Sequence, residues 1–299
     1  MREIFLNGSD GYKLTIHLFD VTNPKGFIQL IHGMEEHQER YENFIEKLNE
    51  AGYTVISSDM RGHGKDCLEL GYFADRLGND LLVSDQMIIT EYIKREFKAN
   101  GVIIFAHSMG TIITRRLLQT KSSDYERVIL SGYPYPKAMS RLGIILGKII
   151  ALLKGKHHFS PLLEKMAVGV FNKDIKNPKT SVDWLSHNEE NVNKYIEDPL
   201  CGKGFKTQGF LDLFHLVIDI RKPKKYRNVN QELKILTLRG EDDPCTGYEK
   251  GSKKSLLILK KAGFKNIRDI AYPKMRHEIL NEDNRDLVYN DVIDFLTKG

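Results

Sequence analysis

A serine near the middle of this 299-residue chain has the surroundings of a chemical nucleophile. Residues 102–110 read VIIFAHSMG, so Ser108 follows an apolar run and has a small residue, Ala106 or Gly110, two positions away on each side. This spacing is typical of a nucleophile elbow, a strained turn from strand to helix that brings the two elements close together. The usual residue at the first small position is glycine, and a serine that only caps a helix gives a similar pattern. Ser108 therefore becomes a convincing nucleophile only with partners elsewhere in the chain.

A histidine and an aspartate pair occur later in the chain, each in a loop that follows a predicted strand. The histidine is His277, and the pair is Asp242 and Asp243. Because the carboxyl ends of parallel strands meet at one edge of a sheet, we expect these loops to lie beside Ser108. His277 would then take the serine proton as general base, while an aspartate orients its imidazole. Pro244 favours an extended conformation at Asp243, which makes Asp243 the predicted acid, and Asp242 remains the alternative with a turn-stabilising role.

Two backbone amides are predicted to stabilise the negative charge that develops on an attacked carbonyl group. The residue after the nucleophile, Met109, supplies one amide. The second is expected from the loop after residues 26–31, where Gly33 permits a sharp turn and the amide of Met34 becomes the predicted donor. A glycine that serves only to turn the chain is the alternative interpretation of this loop.

Alternating strand and helix patterns predict the framework that positions these loops. Strands are predicted at residues 3–6, 12–19, 26–31, 53–57, 127–130, 233–238 and 266–271, and in the apolar run before the serine. Helices are predicted at residues 38–50, 79–97, 108–120, 249–262 and 284–296. This order is typical of an α/β fold with a mostly parallel central sheet and helices on both faces.

The alternation stops at residues 134–230, where helical segments with Gly and Pro punctuation replace the strands. We therefore predict a core made of residues 1–133 and 231–299, with a mainly helical cap inserted at residues 134–230. Trp184, the single tryptophan of the chain, is expected to pack within this cap.

One cap segment, residues 142–153, reads LGIILGKIIALL and predicts a helix that is apolar on nearly all sides. It is too short to span a bilayer, which takes roughly 20 apolar residues. Packing of this helix against the core is the ordinary expectation. The sharper hypothesis is that Ile145 and Ile149 line an acyl-chain pocket, or that the helix rests transiently on a membrane surface.

Composition argues against several other functional classes. The net charge is only +5, and the densest basic run, residues 221–227, is interrupted by Pro223 and has no aromatic stacking motif, so nucleic-acid binding is not expected. The three cysteines are Cys67, Cys201 and Cys245. Their wide spacing predicts neither a disulfide framework nor a metal site, and the adjacent His157 and His158 have no third ligand at useful spacing. We expect a cytoplasmic protein that uses neither a cofactor nor a metal.

Several motifs resemble those of the monoacylglycerol lipase and lysophospholipase branch of the α/β-hydrolases, which is of the serine aminopeptidase S33 type. Residues 32–41, HGMEEHQERY, are similar to the HGxxEHxxRY signature of that branch, and residues 59–64, DMRGHG, to its DxRGHG loop. The elbow AHSMG and residues 240–244 and 276–282 also match. The resemblance covers nearly the whole chain outside residues 134–230.

Two residues depart from the family pattern: Ala106 replaces the usual Gly, and Asp66 stands where Ser is common after GHGK. The family register after Gly240 supports Asp243 as the acid. The resemblance also implies that several polar residues of the signature loops are architectural and hold the neighbouring turns. These residues are Glu36, His37, Arg40, Arg61 and His63.

The resemblance implies a cofactor-independent serine hydrolase that acts on a small-molecule or lipid ester. Lipid monoesters, such as monoacylglycerols or lysophospholipids, are the favoured substrates. Small esters, thioesters and peptides are the alternatives, because fold and catalytic residues do not separate these chemistries. A non-catalytic binding protein on the same scaffold is the alternative from another class, although such proteins typically lack one of the three catalytic residues.

Overall fold

A mostly parallel sheet forms the centre of the computed structural model, which describes residues 1–136 and 140–298. Its strands are β1 (Arg2–Asn7), β2 (Lys13–Phe19), β3 (Gly26–Ile31), β4 (Tyr53–Ser58), β5 (Val102–His107), β6 (Tyr125–Ser131), β7 (Lys234–Gly240) and β8 (Asn266–Tyr272). Their order across the sheet is β1-β2-β4-β3-β5-β6-β7-β8. The pairs β1–β2 and β2–β4 are antiparallel, and the other neighbouring pairs are parallel. The predicted strands are thus all present, with small shifts in their bounds.

Helices cover both faces of this sheet, as the alternating patterns predict. The helices are α1 (Glu42–Glu50), α2 (Gly78–Glu96), α3 (Met109–Lys121), α4 (Ser140–Lys154), α5 (Pro161–Ala167), α6 (Glu189–Glu197), α7 (Thr207–Ile220), α8 (Tyr248–Ala262) and α9 (Arg285–Lys298). Helices α1 and α9 contribute to the core on one face, and α2, α3 and α8 to the core on the other. Strand β5 is buried on both faces: Ile104 and Ala106 join the core beneath α3, whereas Ile103 and Phe105 join the core beneath α1.

The parallel arrangement brings the predicted reactive loops to one edge of the sheet. Strand β3 leads into Gly33, β5 into Ser108, β7 into Asp243 and β8 towards His277. Strands β3 and β5 are neighbours, and β6 alone separates β5 from β7. Residues far apart in the sequence therefore meet above the carboxyl ends of the central strands.

The turn from β5 into α3 is strained and leaves little room for side chains. Ser108 has a φ angle of 48°, a left-handed conformation that few residues other than glycine adopt. A Cβ atom on Gly110 would lie 2.4 Å from the carbonyl oxygen of Ile31 and 2.6 Å from that of His32. Glycine is therefore required at position 110, whereas the methyl group of Ala106 is accommodated in the core.

The segment between β6 and β7 is mainly helical, as predicted. Its described residues form α4 to α7 and short turns, and their β pairing is limited to one isolated bridge between Phe159 and Lys206. Residues 137–139 of the predicted cap lie outside the described part of the chain. The division into core and cap stays a prediction. In the ranges 1–136 and 140–298, no helix combines the length and the apolar character needed to cross a membrane.

Helix α4 contains the apolar segment and packs on α7 through its small residues. A Cβ atom on Gly143 would lie 2.6 Å from the Phe214 ring, and one on Gly147 would lie 2.7 Å from the Leu211 side chain. Gly143 and Gly147 therefore face the protein and let the two helices approach closely.

The isoleucines of α4 lie on the other side of the helix. Ile145 and Ile149 are 59% and 50% exposed and do not border the cavity beside the serine. Each is two positions from a packed glycine, which in a helix places it on nearly the opposite side. Their predicted place in an acyl-chain pocket is therefore wrong, because the glycines and not the isoleucines face inward.

Replacing Gly110 with alanine is expected to lower the free energy of unfolding by about 1–3 kcal/mol, because the added methyl group would overlap backbone carbonyl oxygens. The same overlap should move Ser108 and slow its reaction with a fluorophosphonate probe. Ala106→Gly is the matched control, expected to cost about 1 kcal/mol while leaving the reaction with the probe intact. Urea denaturation and labelling rates measure both effects. A Gly110→Ala protein with wild-type stability and labelling would contradict the close approach of α3 to β3.

Candidate active site

The structure joins Ser108, His277 and Asp243 by two hydrogen bonds. Nε2 of His277 lies 2.9 Å from Oγ of Ser108, and Nδ1 lies 2.9 Å from Oδ2 of Asp243. The Asp243 side chain is fully buried, and its other oxygen accepts a hydrogen bond from the amide of Cys245. Of the two aspartates considered as the acid, Asp243 is thus the one that contacts the imidazole. Asp242 is exposed and contacts a different histidine.

The surroundings of His277 favour its protonated form. The side chain is 2% exposed, and burial alone lowers its pKa. The hydrogen-bonded Asp243 carboxylate, with smaller contributions from Glu278 and Glu36, outweighs burial and raises the pKa above its ordinary value. An imidazolium formed by uptake of the Ser108 proton would therefore be stabilised where it forms.

The predicted oxyanion loop is held by Glu36. The amide of Gly33 donates a hydrogen bond of 2.5 Å to the Glu36 carboxylate, and a Cβ atom on Gly33 would lie 3.0 Å from Cβ of Ser108. Glycine therefore allows this loop to approach the serine. The amide of Gly33 itself already donates to Glu36. Met34 and Met109 border the same cavity as Ser108. Both predicted amide donors thus belong to residues beside the serine, and their binding of an oxyanion stays a prediction.

A largely buried guanidinium links the oxyanion loop to the histidine loop. Arg40 makes two hydrogen bonds of 2.7 Å to Glu278 and one of 2.8 Å to Glu36. It also reaches Asn191 on α6, and Tyr41 donates a hydrogen bond to Glu36. Burial raises the pKa of both glutamates, but the positive charge of Arg40 reverses this and leaves them below their ordinary values. These contacts agree with the architectural role that the resemblance implies for Glu36 and Arg40.

Residues between β6 and β7 cover the histidine from above. The ring of Trp184 lies 4.9 Å from that of His277 and 4.8 Å from that of Phe171, measured between centroids. Asp198, also in this segment, contacts His37 of the oxyanion loop at 2.7 Å. Trp184 thus packs within its own segment, as expected, and also on the imidazole.

A cavity of about 360 Å³ opens beside Ser108. This volume lies within the range of small-molecule sites, about 300–1,000 Å³. Much of the wall is apolar and includes Ile112, Ala167, Val168, Leu213, Phe214 and Val217. Its charged residues, among those that the structure describes, are four glutamates and neither Lys nor Arg. Glu36 and Glu278 are paired with the guanidinium of Arg40. Glu35 and Glu164 are the two glutamates of the wall that do not belong to this ion pair.

Two groups of side chains in the described ranges have the spacing of metal ligands. One is Asp243, Cys245 and His277, whose carboxylate and imidazole already bind each other. The other is His37, Asp198 and Cys201, where His37 and Asp198 share a hydrogen bond and burial raises the pKa of the thiol. Formation of a metal site would break these hydrogen bonds. The prediction that the protein uses no metal stands without a direct test.

The sequence pattern that defines the serine aminopeptidase S33 family matches residues 22–284. The chain belongs to this family. It is therefore an α/β-hydrolase, as the motifs at residues 32–41 and 59–64 predict. The predicted fold class is also confirmed by the sheet, its order and its covering helices.

This hydrolase is similar to proteins that act on esters. A monoacylglycerol lipase of Mycolicibacterium smegmatis is 24% identical over 278 residues, which are 92% of this chain and 89% of that protein. A highly thermostable carboxyl esterase from Bacillus coagulans, solved in complex with glycerol, has a TM-score of 0.91 at 24% identity and covers 99% of this chain and 98% of its own. A soluble variant of monoglyceride lipase from Saccharomyces cerevisiae, in complex with a substrate analogue, has a TM-score of 0.73 at 20% identity. This match covers 99% of this chain and 94% of the yeast protein.

The sequence patterns indicate the reactive loops of this hydrolase but not two residues of the cavity wall, Glu35 and Glu164. Glu35 directly follows the predicted oxyanion donor Met34, and an acidic residue at that place was the available sequence signal. In the structure its backbone has a φ angle of 56°. Glu164 lies on α5, outside every motif, and no sequence signal marked it.

Exchange of Asp243 for asparagine is expected to slow fluorophosphonate labelling of Ser108 by about 10³–10⁴-fold, because an amide does not hold the imidazole in the reactive tautomer. Asp242→Asn is the matched control, since the two residues are adjacent and only Asp243 touches His277. This control should label at close to the wild-type rate. Equal losses in the two variants would contradict the assignment of Asp243.

The pH dependence of labelling adds a second measurement to the same comparison. Neutral His277 is the form that accepts a proton, so the rate should rise with pH as the imidazolium loses its proton. Because Asp243 raises the pKa of His277, the midpoint is expected above the ordinary imidazole value of about 6.5. Asp243→Asn should move this midpoint to lower pH, and an unchanged midpoint would argue against the electrostatic role of the carboxylate.

Proposed function

We propose that this hydrolase cleaves carboxylic esters of the lipid monoester class, monoacylglycerols or lysophospholipids, through a covalent acyl-serine. The observation that carries the proposal is the hydrogen-bonded series Ser108, His277, Asp243 at the border of a largely apolar cavity. Membership of an α/β-hydrolase family supports the reaction type. Similarity to a monoacylglycerol lipase and to a monoglyceride lipase supports the substrate class.

The proposed reaction begins when Oγ of Ser108 attacks the ester carbonyl carbon and Nε2 of His277 takes the hydroxyl proton. The amides of Met34 and Met109 bind the negative oxygen of the tetrahedral intermediate. Collapse of this intermediate breaks the bond to the alcohol, which leaves with the proton from His277. A water molecule then gives a proton to His277 and attacks the acyl carbon, and the fatty acid leaves as Ser108 regains its proton.

The charge of the cavity wall bears on the choice of head group. The described wall contains glutamates and neither Lys nor Arg, so a phosphate group held there would lack a cationic partner. The apolar part of the wall suits a fatty acyl chain, whose burial stabilises binding by about 0.8 kcal/mol per methylene. Within the lipid monoester class, this wall favours a head group without negative charge.

A substrate panel at one acyl-chain length tests the proposal. The protein is expected to hydrolyse a monoacylglycerol fastest, a lysophospholipid more slowly, and the corresponding thioester or acyl-peptide least, with all activity lost in Ser108→Ala. Release of the free acid by chromatography measures each rate.

Outcomes of this panel separate the remaining alternatives. Hydrolysis confined to the thioester or the peptide would contradict the ester assignment. A folded wild-type protein that neither hydrolyses the panel nor reacts with a fluorophosphonate would contradict catalysis and favour a binding role for the scaffold.

We also propose that α4 makes transient contact with a membrane or micelle surface. Its outward side exposes five large apolar residues: Leu142, Ile145, Ile149, Leu152 and Leu153. The charged residues Arg141 and Lys154 stand near its two ends. A helix with an exposed apolar side and flanking basic residues has the composition of an interfacial helix.

Replacing Ile145 and Ile149 with serine is expected to weaken sedimentation with phosphatidylcholine and phosphatidylglycerol vesicles by about tenfold, since two large apolar side chains are lost from the contact. Activity on aggregated long-chain monoacylglycerol should fall with it. Activity on a monomeric short-chain ester should stay unchanged, because neither side chain borders the cavity. Equal loss on both substrates would contradict surface contact and indicate a defect of the fold.

A further inference from the structure

Two glutamates in the cavity wall have buried carboxyl oxygens without partners. Glu35, in the loop after β3, is 9% exposed, and Glu164 lies on α5. Oε1 of Glu35 and Oε2 of Glu164 have no hydrogen-bond partner within residues 1–136 and 140–298. A buried polar atom without a partner costs free energy, and a charged one costs more. A ligand that offers partners to these oxygens would remove that cost on binding.

Burial and the charge of Glu164 both change the pKa of Glu35. Burial raises the pKa of Glu35, and the negative charge of Glu164 raises it further. Burial likewise raises the pKa of Glu164. A backbone hydrogen bond from Gly204 is the opposing influence at Glu35, and it is too weak to reverse the shift. Arg40 holds the pKa of the other two wall glutamates below its ordinary value, and no cation of residues 1–136 or 140–298 has this effect on Glu35 or Glu164.

The position of Glu35 is built into the loop that approaches the serine. Its backbone adopts the left-handed conformation, and its carbonyl oxygen accepts a hydrogen bond of 3.0 Å from the amide of Gly202. This holds the Glu35 side chain in the wall that also contains Ser108 and His277. A substrate group bound by the two glutamates would thus lie in the cavity where the ester is attacked.

We propose that Glu35 and Glu164 form a recognition site for a positively charged ammonium group on the substrate. A primary ammonium supplies both missing features, since it carries a positive charge and three N–H donors for the unpartnered oxygens. The inference rests on the proposed ester hydrolysis and specifies which esters are preferred. A substrate with negative charge at the same place would be repelled.

Three esters of one fatty acid test this inference, because they differ only at the end of the alcohol. These are the 4-aminobutyl, pentyl and 4-carboxybutyl esters, which carry an ammonium, a methyl and a carboxylate group. The wild-type protein is expected to show kcat/KM at least about tenfold higher for the aminobutyl than for the pentyl ester, with the carboxybutyl ester lowest. A second series with the three groups at the end of the acyl chain covers the opposite orientation.

Charge-neutral variants assign any preference to the two glutamates. Glu35→Gln and Glu164→Gln should each reduce the ratio of the aminobutyl to the pentyl rate, and the double variant should bring it close to one. Glu164→Gln gives an independent result if Glu35→Gln does not fold. Glu197→Gln, which removes an exposed charge from the end of α6, is the matched control and should leave the ratio unchanged.

The outcomes separate this inference from the proposed function. Hydrolysis of the pentyl ester that requires Ser108 supports the ester assignment by itself. The same hydrolysis with no ammonium preference in either series, or with a preference that survives the double variant, would overturn the recognition site alone. The glycerol ester of the same fatty acid serves as a fourth substrate. If it is preferred over the aminobutyl ester and this preference is lost in both single variants, the pair recognises hydroxyl groups and the ammonium proposal is overturned.

Discussion

The ion pairing of the largely buried Arg40 guanidinium is the interaction on which the rest of the site depends. It pairs with Glu36, which fixes the oxyanion loop through the amide of Gly33, and with Glu278, the residue next to His277. One side chain thereby sets the distance between the loop after β3 and the loop after β8. Removal of one member of such a buried group typically costs about 3–5 kcal/mol, because an unpaired charge stays behind. The geometry around the serine thus depends on a guanidinium that does not itself border the cavity.

The framework was predictable from sequence because short-range constraints determine it. Buried strands need apolar runs, and the close approach of α3 to β3 excludes a side chain at Gly110. The order of Ser108, Asp243 and His277, each after a parallel strand, then follows from the geometry of the sheet edge. Local backbone preference before Pro244 and the family register after Gly240 both favour Asp243 over Asp242, and the observed hydrogen bond to His277 agrees with this prediction.

Features that depend on packing between distant segments were harder to predict from the sequence. The apolar pattern of α4 gave no indication of which side faces inward, and the contacts of Gly143 and Gly147 with α7 decided that Ile145 and Ile149 face outward. The proximity of Glu35 and Glu164 likewise arises only in the folded chain, where α5 and the loop after β3 border the same cavity. A glutamate on a helix is usually solvated, so composition alone does not distinguish one that lines a cavity.

The contact between Trp184 and His277 gives the molecule an optical reporter of its own chemistry. Trp184 is the single tryptophan, so the indole emission of the whole protein comes from a ring that packs on the imidazole of His277. A protonated imidazole quenches an adjacent excited indole, whereas a neutral one quenches it far less. We therefore expect the emission to follow the proton on His277, and an opening of the covering segment away from the imidazole to remove the quenching at every pH. Proton transfer and segment opening can thus be told apart by light, in the unlabelled protein.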